Sequence, residues 1–98
     1  MTAKKSPPVQ QAEINAYQGS ITAMEFLSRR LFEGRGVAQC HLWSFVWSSI
    51  AMERGVKHLE SLNQFSFKKM SLQDQNQAHG IVKETLSTIA PYQTASVA

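Results

Sequence analysis

The feature that most constrains the fold is an uncharged stretch in the middle of the chain. Residues 37–52 contain no lysine, arginine, aspartate or glutamate, and the segment HLWSFVWSSI at 41–50 carries both tryptophans of the protein. A membrane-spanning helix needs about 20 predominantly apolar residues, whereas this stretch is shorter and is interrupted by serines, a glutamine and a histidine. The pattern therefore predicts a helix inside a soluble fold, with no membrane partner.

The rest of the sequence also carries helical periodicity. Apolar residues at spacings of three and four predict a first helix over about residues 9–33 and a second over about 37–54. Ser71 begins a capping-box pattern that predicts a third helix ending before Pro91. Gly19 offers an alternative, in which the first helix is split in two. Strand-like alternation of apolar and polar residues is absent.

These patterns predict an all-α fold, a small helical bundle of three main helices plus a short fourth that follows Gly55. A chain of 98 residues has enough surface for one core only. We expect a single helical domain over 9–91, preceded by a flexible basic lead at 1–8 and followed by a loose tail at 92–98. Residues 63–70, NQFSFKKM, mix aromatics with lysines without a clear period, which is typical of a connector.

The residues that could support chemistry are few. Cys40 is the only cysteine, so an intramolecular disulfide is excluded, and a reducing compartment such as the cytoplasm is expected. The sequence lacks the Cys and His spacing of a zinc site, a phosphate-binding loop and a carboxylate pair at helical spacing. It therefore predicts no metal, no cofactor and no enzymatic activity.

Phe26 falls outside the apolar arc of the first helix, on a charged face that it shares with Arg29 and Arg30. Arg30 lies four residues further on and can cover the ring, which would make a local cation–π pair. Aromatic and arginine side chains are also typical of interface hot spots. Arg35, in the following glycine turn, could extend this patch toward a partner protein.

The helix over 37–54 is apolar on two sides. Trp43 and Trp47 share an arc with the aliphatic residues and are assigned to the core, while Phe45 and Met52 form a second patch on the far side. Three main helices in one chain can hardly cover both sides. We therefore expect Phe45 and Met52 to be covered by a partner protein or by the second subunit of a homodimer.

The segment QFSFKKM at 64–70 places two phenylalanines beside Lys68 and Lys69. Such interleaving is used by proteins that bind single-stranded nucleic acid, through stacking and phosphate contacts. The alternative interpretation is that the phenylalanines close the core beneath a loop while the lysines are solvated. The net charge of +3 permits a nucleic-acid partner without requiring one.

The leading hypothesis is a small regulatory, adaptor or inhibitor protein that acts by stoichiometric binding to a partner protein. The alternative is a nucleic-acid-binding protein that uses a dispersed patch of arginines and lysines. The predicted partner-binding residues are Phe26, Arg29, Arg30, Arg35, Phe45, Met52, Lys68 and Lys69.

Overall fold

A computed structural model describes residues 5–89, and this part of the chain contains five α-helices and no β-strand. The helices are α1 (Pro7–Tyr17), α2 (Ile21–Glu33), α3 (His41–Glu53), α4 (Glu60–Lys69) and α5 (Leu72–Thr88). The predicted all-α helical bundle is confirmed.

Two other expectations concern the terminal segments and the membrane. The tail expected at 92–98 and the first four residues of the expected lead lie outside the described residues. Within 5–89, none of the helices is long and apolar enough to cross a lipid bilayer.

The single long helix predicted for residues 9–33 is wrong, and the alternative break at Gly19 occurs. Gly19 has a φ of 99°, in the left-handed region that glycine enters at no steric cost. The Ser20 hydroxyl then accepts a hydrogen bond from the backbone N–H of Ala23 at 3.2 Å, which caps α2. The turn lets α2 fold back onto α1. The apolar residues before Gly19 and those after it therefore lie on two separate helices, each with its own buried face.

Helix α3 lies at the centre of the bundle and packs against α2, α4 and α5. Val46, Trp47 and Ile50 are buried in the main core with apolar residues of α1 and α2, as their spacing predicts. Trp43 is only partly buried at the edge of that core. One tryptophan of the central stretch is therefore a core residue, and the other reaches the surface.

Phe45, on the far side of α3, is covered within the same chain. Its side chain is only 5% exposed, and its ring centroid lies 5.3 Å from that of Phe67 on α4 and 5.6 Å from that of His79 on α5. Met52 is partly buried against the main core. The expectation that Phe45 needs cover from a partner or a second subunit is therefore wrong, because α4 and α5 provide it.

The predicted connector at 63–70 is instead helical: residues 63–69 belong to α4, and Met70 is its C-cap. Glu60 lies in its first turn and Lys68 and Lys69 in its last, an arrangement that complements the helix dipole. The only residue of α4 that is fully buried is Ser66. Because this helix contributes a serine to the interior instead of an apolar stripe, hydrophobic periodicity did not extend the predicted short fourth helix over residues 63–69.

Three serines join α2, α3 and α4 where these helices meet. The Ser44 hydroxyl donates to the carbonyl of Ser28 at 2.9 Å, and the Ser66 hydroxyl donates to the Ser44 oxygen at 3.0 Å. All three residues are fully buried. Small side chains that satisfy one another let the helices approach closely without leaving a buried hydroxyl unpaired.

Asn63 extends the polar contact between α3 and α4. Its side-chain amide donates to the hydroxyls of Ser48 and Ser49, both at 2.9 Å. The Ser48 hydroxyl in turn donates to the carbonyl of Phe45 at 3.1 Å. The serines of the central stretch therefore hold α4 against α3 by hydrogen bonds, in addition to the packing of Phe67 on Phe45.

We expect Ser44→Leu to lower the free energy of unfolding by about 1–3 kcal/mol or more, because a larger side chain must push α2 and α4 away from α3. Ser61→Leu is the matched control, since Ser61 is exposed on α4. Urea denaturation of the two variants measures the difference. Equal stabilities would show that the helices do not depend on the close approach at Ser44.

Candidate functional site

Phe26 and Arg30 form the local pair that their spacing predicts. The guanidinium carbon of Arg30 lies 4.6 Å from the centroid of the Phe26 ring, within the range of a cation–π contact. Phe26 is half-buried and packs against the main core. The ring is therefore held by the core and by Arg30, and part of it remains exposed to solvent.

Beside this pair runs a groove between α1 and α2, which we call the α1–α2 groove. Its volume is about 360 Å³, and Phe26 stands on its α2 side. Ala12 and Ala23, both buried, form its floor, and Gln11 and Asn15 form its α1 side. The small floor residues leave the groove open to a side chain from outside.

The other predicted arginines are partly neutralised by neighbouring carboxylates. Arg29 lies 3.4 Å from a carboxylate oxygen of Glu25, and Arg35 lies 3.6 Å from one of Glu33. Exposed pairs of this kind contribute little to stability, yet they reduce the charge available to a partner. Arg29 and Arg35 therefore add less positive charge to the patch than the sequence implies.

Lys68 and Lys69 lie in the last turn of α4, apart from the arginines. Within residues 5–89, no ion pair, ring contact or cavity joins either lysine to Arg29, Arg30 or Arg35. The eight predicted binding residues therefore do not form one site.

The two phenylalanines of the QFSFKKM segment have different surroundings. Phe67 packs inward on Phe45, whereas Phe65 is 55% exposed, one turn before Lys68 and Lys69. The sequence left open whether these rings bind or close the core. In the structure one ring, Phe67, closes the core and the other, Phe65, is exposed. We call Phe65 together with Lys68 and Lys69 the α4 surface.

A second depression, which we call the aromatic cleft, opens on the other side of α1. Its volume is about 390 Å³, and it lies between α1, the loop at 34–40 and α3. Its apolar lining comprises Tyr17, Leu31, Val37, Ala38, Trp43 and Trp47. Both tryptophans of the protein therefore line one cleft.

The three aromatic rings of the cleft contact one another, Tyr17 edge-on to Trp47 and Trp43 tilted against Trp47. Tyr17 meets Trp47 with ring centroids 5.1 Å apart and planes at 81°, and the Trp43 and Trp47 centroids are 6.4 Å apart. Tyr17 is nevertheless 40% exposed. Tyr17 is the last residue of α1, just before the break at Gly19.

The loop that closes the cleft is fixed by backbone hydrogen bonds. The N–H of Ser6 donates to the carbonyl of Gly36 at 2.7 Å, and the N–H of Cys40 donates to that of Leu31 at 3.0 Å. Gly36 has a φ of 76°, and a Cβ there would lie 2.5 Å from the Ser6 hydroxyl. Only glycine lets the loop approach the start of α1 this closely.

Charged groups and a thiol complete the cleft. The ammonium group of Lys5 lies 2.8 Å from a carboxylate oxygen of Glu13, and both side chains line the cleft with Cys40. Lys5 and Glu13 are both partly exposed to solvent. The cleft thus combines an apolar interior with two opposite charges.

The sequence did not point to this cleft, because its parts come from three separate segments between residues 5 and 47. The one available signal was the density of aromatic residues in HLWSFVWSSI. That signal alone could not separate the buried Trp47 from the partly exposed Trp43.

The cysteine and the histidines, considered as ligands or nucleophiles, are dispersed. Cys40 lines the aromatic cleft, His41 packs edge-on against Phe32 at 5.4 Å, and His79 lies beside Phe45. Over residues 5–89, no group of three or more His, Cys, Asp or Glu side chains could hold a metal ion.

The chain matches no protein-family model, and no curated protein or solved structure is significantly similar to it. Similarity therefore assigns no activity to the α1–α2 groove, the aromatic cleft or the α4 surface. The function has to be inferred from the side chains and their surroundings.

Glu25 links α2 to the turn after α3. The imidazole Nε2–H of His58 donates to its carboxylate, which also pairs with Arg29. The bond from His58 is the main cause that lowers the pKa of Glu25 below its ordinary value of 4.5, with Arg29 contributing and burial opposing. The folded state therefore favours the ionised carboxylate.

A group with a lowered folded-state pKa contributes stability above its unfolded pKa and loses it as the pH falls through the folded one. We expect Glu25→Gln to lower the free energy of unfolding at pH 6 by less than about 1 kcal/mol, because the pair is partly exposed. This difference should vanish by about pH 2. Denaturation at both pH values measures it, and a pH-independent difference would rule out the ionised pair as its source.

Proposed function

We propose that the protein acts without catalysing a reaction, as a regulatory, adaptor or inhibitor protein that binds a partner protein in a stoichiometric complex. The observation that carries this proposal is the α1–α2 groove, with the Phe26 and Arg30 pair on its α2 side. Ile14 of α1 does not line the groove, but it is 53% exposed on the same helix. A partly exposed aromatic ring with an arginine beside it, next to an open groove, is typical of a protein-binding surface.

Phe26 is suited to be an anchor for a partner. Its ring packs against the core on one face and is covered by Arg30, so little side-chain freedom remains to be lost on binding. Ala12 and Ala23 leave room in the groove beside it. An apolar side chain of the partner can therefore contact the ring and the groove floor together.

Arg30 indicates the charge of that partner. Within residues 5–89 its guanidinium contacts the Phe26 ring and is in no ion pair, in contrast to Arg29 and Arg35. A carboxylate of a partner could bind the N–H groups at the edge of the guanidinium while its planar face stays in contact with the Phe26 ring. The expected partner presents an acidic residue next to an apolar one.

We expect the double variant Phe26→Ala with Arg30→Ala to reduce capture of the partner from native cells by tenfold or more, which corresponds to about 1.4 kcal/mol. Ile14→Glu should also reduce it, because a carboxylate at the exposed position repels an acidic partner and leaves the core intact. Affinity capture with quantitative mass spectrometry measures each variant against the unmodified protein.

The matched control is Phe65→Ala, which removes the same side chain from an exposed position on α4. Circular dichroism and thermal unfolding confirm that each variant folds. If Ile14→Glu and the double variant are folded and capture the same proteins in the same amounts as the unmodified chain, the α1–α2 groove is not the binding surface.

The α4 surface favours a second candidate function, binding of single-stranded nucleic acid. Phe65 is exposed, and Lys68 and Lys69 follow it within about one helical turn, so a base could stack on the ring while the ammonium groups contact phosphates. The arginines of α2 are not joined to this surface. Any binding is therefore expected to be weak and to involve few phosphates.

For this function we expect Phe65→Ala and Lys68→Ala each to weaken binding of a fluorescent oligonucleotide several-fold, whereas Phe26→Ala leaves it unchanged. Fluorescence anisotropy at low and moderate salt measures the affinity, which should fall as salt rises. Absence of binding at low salt would exclude the nucleic-acid function. For both candidate functions we propose a cytoplasmic location, as expected from the single cysteine.

A further inference from the structure

We propose that the aromatic cleft binds a free α-amino acid with a large apolar side chain. The cleft lies on the opposite side of α1 from the α1–α2 groove, since Gln11 and Asn15 face the groove whereas Glu13 and Tyr17 face the cleft. This inference therefore does not depend on the partner-binding function.

The interior of the cleft suits an apolar side chain. Leu31 and Val37 provide aliphatic surface, and Trp43 with Trp47 provides aromatic surface. The volume of about 390 Å³ lies at the small end of the range for ligand pockets. One molecule of amino-acid size, with a phenyl or branched aliphatic side chain, fits these dimensions better than an extended ligand.

The charged residues of the cleft suit the head group of a free amino acid. Lys5 and Glu13 hold an ammonium and a carboxylate 2.8 Å apart. An α-amino acid carries the same two charges on one carbon atom. Its carboxylate can bind Lys5 while its ammonium group binds Glu13, so both protein charges stay paired in the complex.

Opening the pair of Lys5 and Glu13 to admit the ligand costs little, because an exposed ion pair contributes little to stability. Other ligands use these charges less well. A neutral apolar molecule binds neither, and the N-terminus or C-terminus of a peptide offers only one of the two. The charge pattern therefore favours the free amino acid over a chain end.

The cleft provides its own fluorescent reporters, because Trp43 and Trp47 are the only tryptophans of the protein and both line it. We expect titration with L-phenylalanine or L-leucine to give a saturable change in tryptophan emission, with half-saturation below about 1 mM. Half-saturation above that concentration, or a linear response, would overturn the proposal.

Two analogues test the head group. L-phenylalaninamide lacks the carboxylate and N-acetyl-L-phenylalanine lacks the ammonium group, so each should bind about tenfold more weakly than L-phenylalanine. If either analogue binds as tightly as the free amino acid, the ligand is an apolar molecule or a peptide end, and the assignment is wrong.

Variants locate the binding within the protein. Lys5→Gln and Glu13→Gln should each weaken L-phenylalanine binding about tenfold, because each removes one charged partner of the head group. Lys83→Gln and Glu84→Gln are the matched controls, since both residues are exposed on α5 and do not line the cleft. Equal affinities for all four variants would exclude the Lys5 and Glu13 pair.

Cys40 gives an independent readout, because it is the only cysteine and lines the cleft. Saturating L-phenylalanine should slow alkylation of its thiol by iodoacetamide several-fold, as followed by intact-protein mass. An unchanged rate in saturating ligand would place the bound amino acid outside the cleft and overturn the proposal.

Discussion

The fold depends on the burial of α3 against helices on both of its sides. A helix enclosed in this way cannot carry charged side chains without a large desolvation cost, and α3 has none before its last residue, Glu53. Its fully buried polar side chains, Ser44 and Ser48, are short hydroxyls that donate to backbone carbonyls close by. The central position of α3 in the bundle thus accounts both for the absence of charged residues and for the serines.

The surroundings of α3 determine which surfaces remain open. Helices α4 and α5 close its far side at Phe45, while α1 and α2 close the side that carries Val46 and Ile50. Helix α1 packs mainly on α2, so nothing within residues 5–89 covers its outer face at Ile14. The two depressions flank α1 because this helix is the least enclosed of those that build the main core.

Sequence patterns predicted those features whose cause is local. The helix expected from Ser71 is α5, and the Ser71 hydroxyl accepts from the N–H of Asp74 as a capping residue does. The Phe26 and Arg30 contact follows from a spacing of four on one helix. The Gly19 break was only an alternative, because the periodicity runs through it. The predicted short fourth helix did not extend over residues 63–69, because the only buried residue of α4 is Ser66.

The aromatic cleft lay beyond prediction for a different reason. Its charged pair comes from residues 5 and 13, its loop from 34–40 and its tryptophans from α3. Those segments meet only because α2 folds back on α1 and the Gly36 carbonyl binds the start of α1. A ligand in either depression would contact α1, whose main packing partner is α2. A ligand that binds only the folded state stabilises it, and here it would do so by adding contacts on faces of α1 that α2 does not cover.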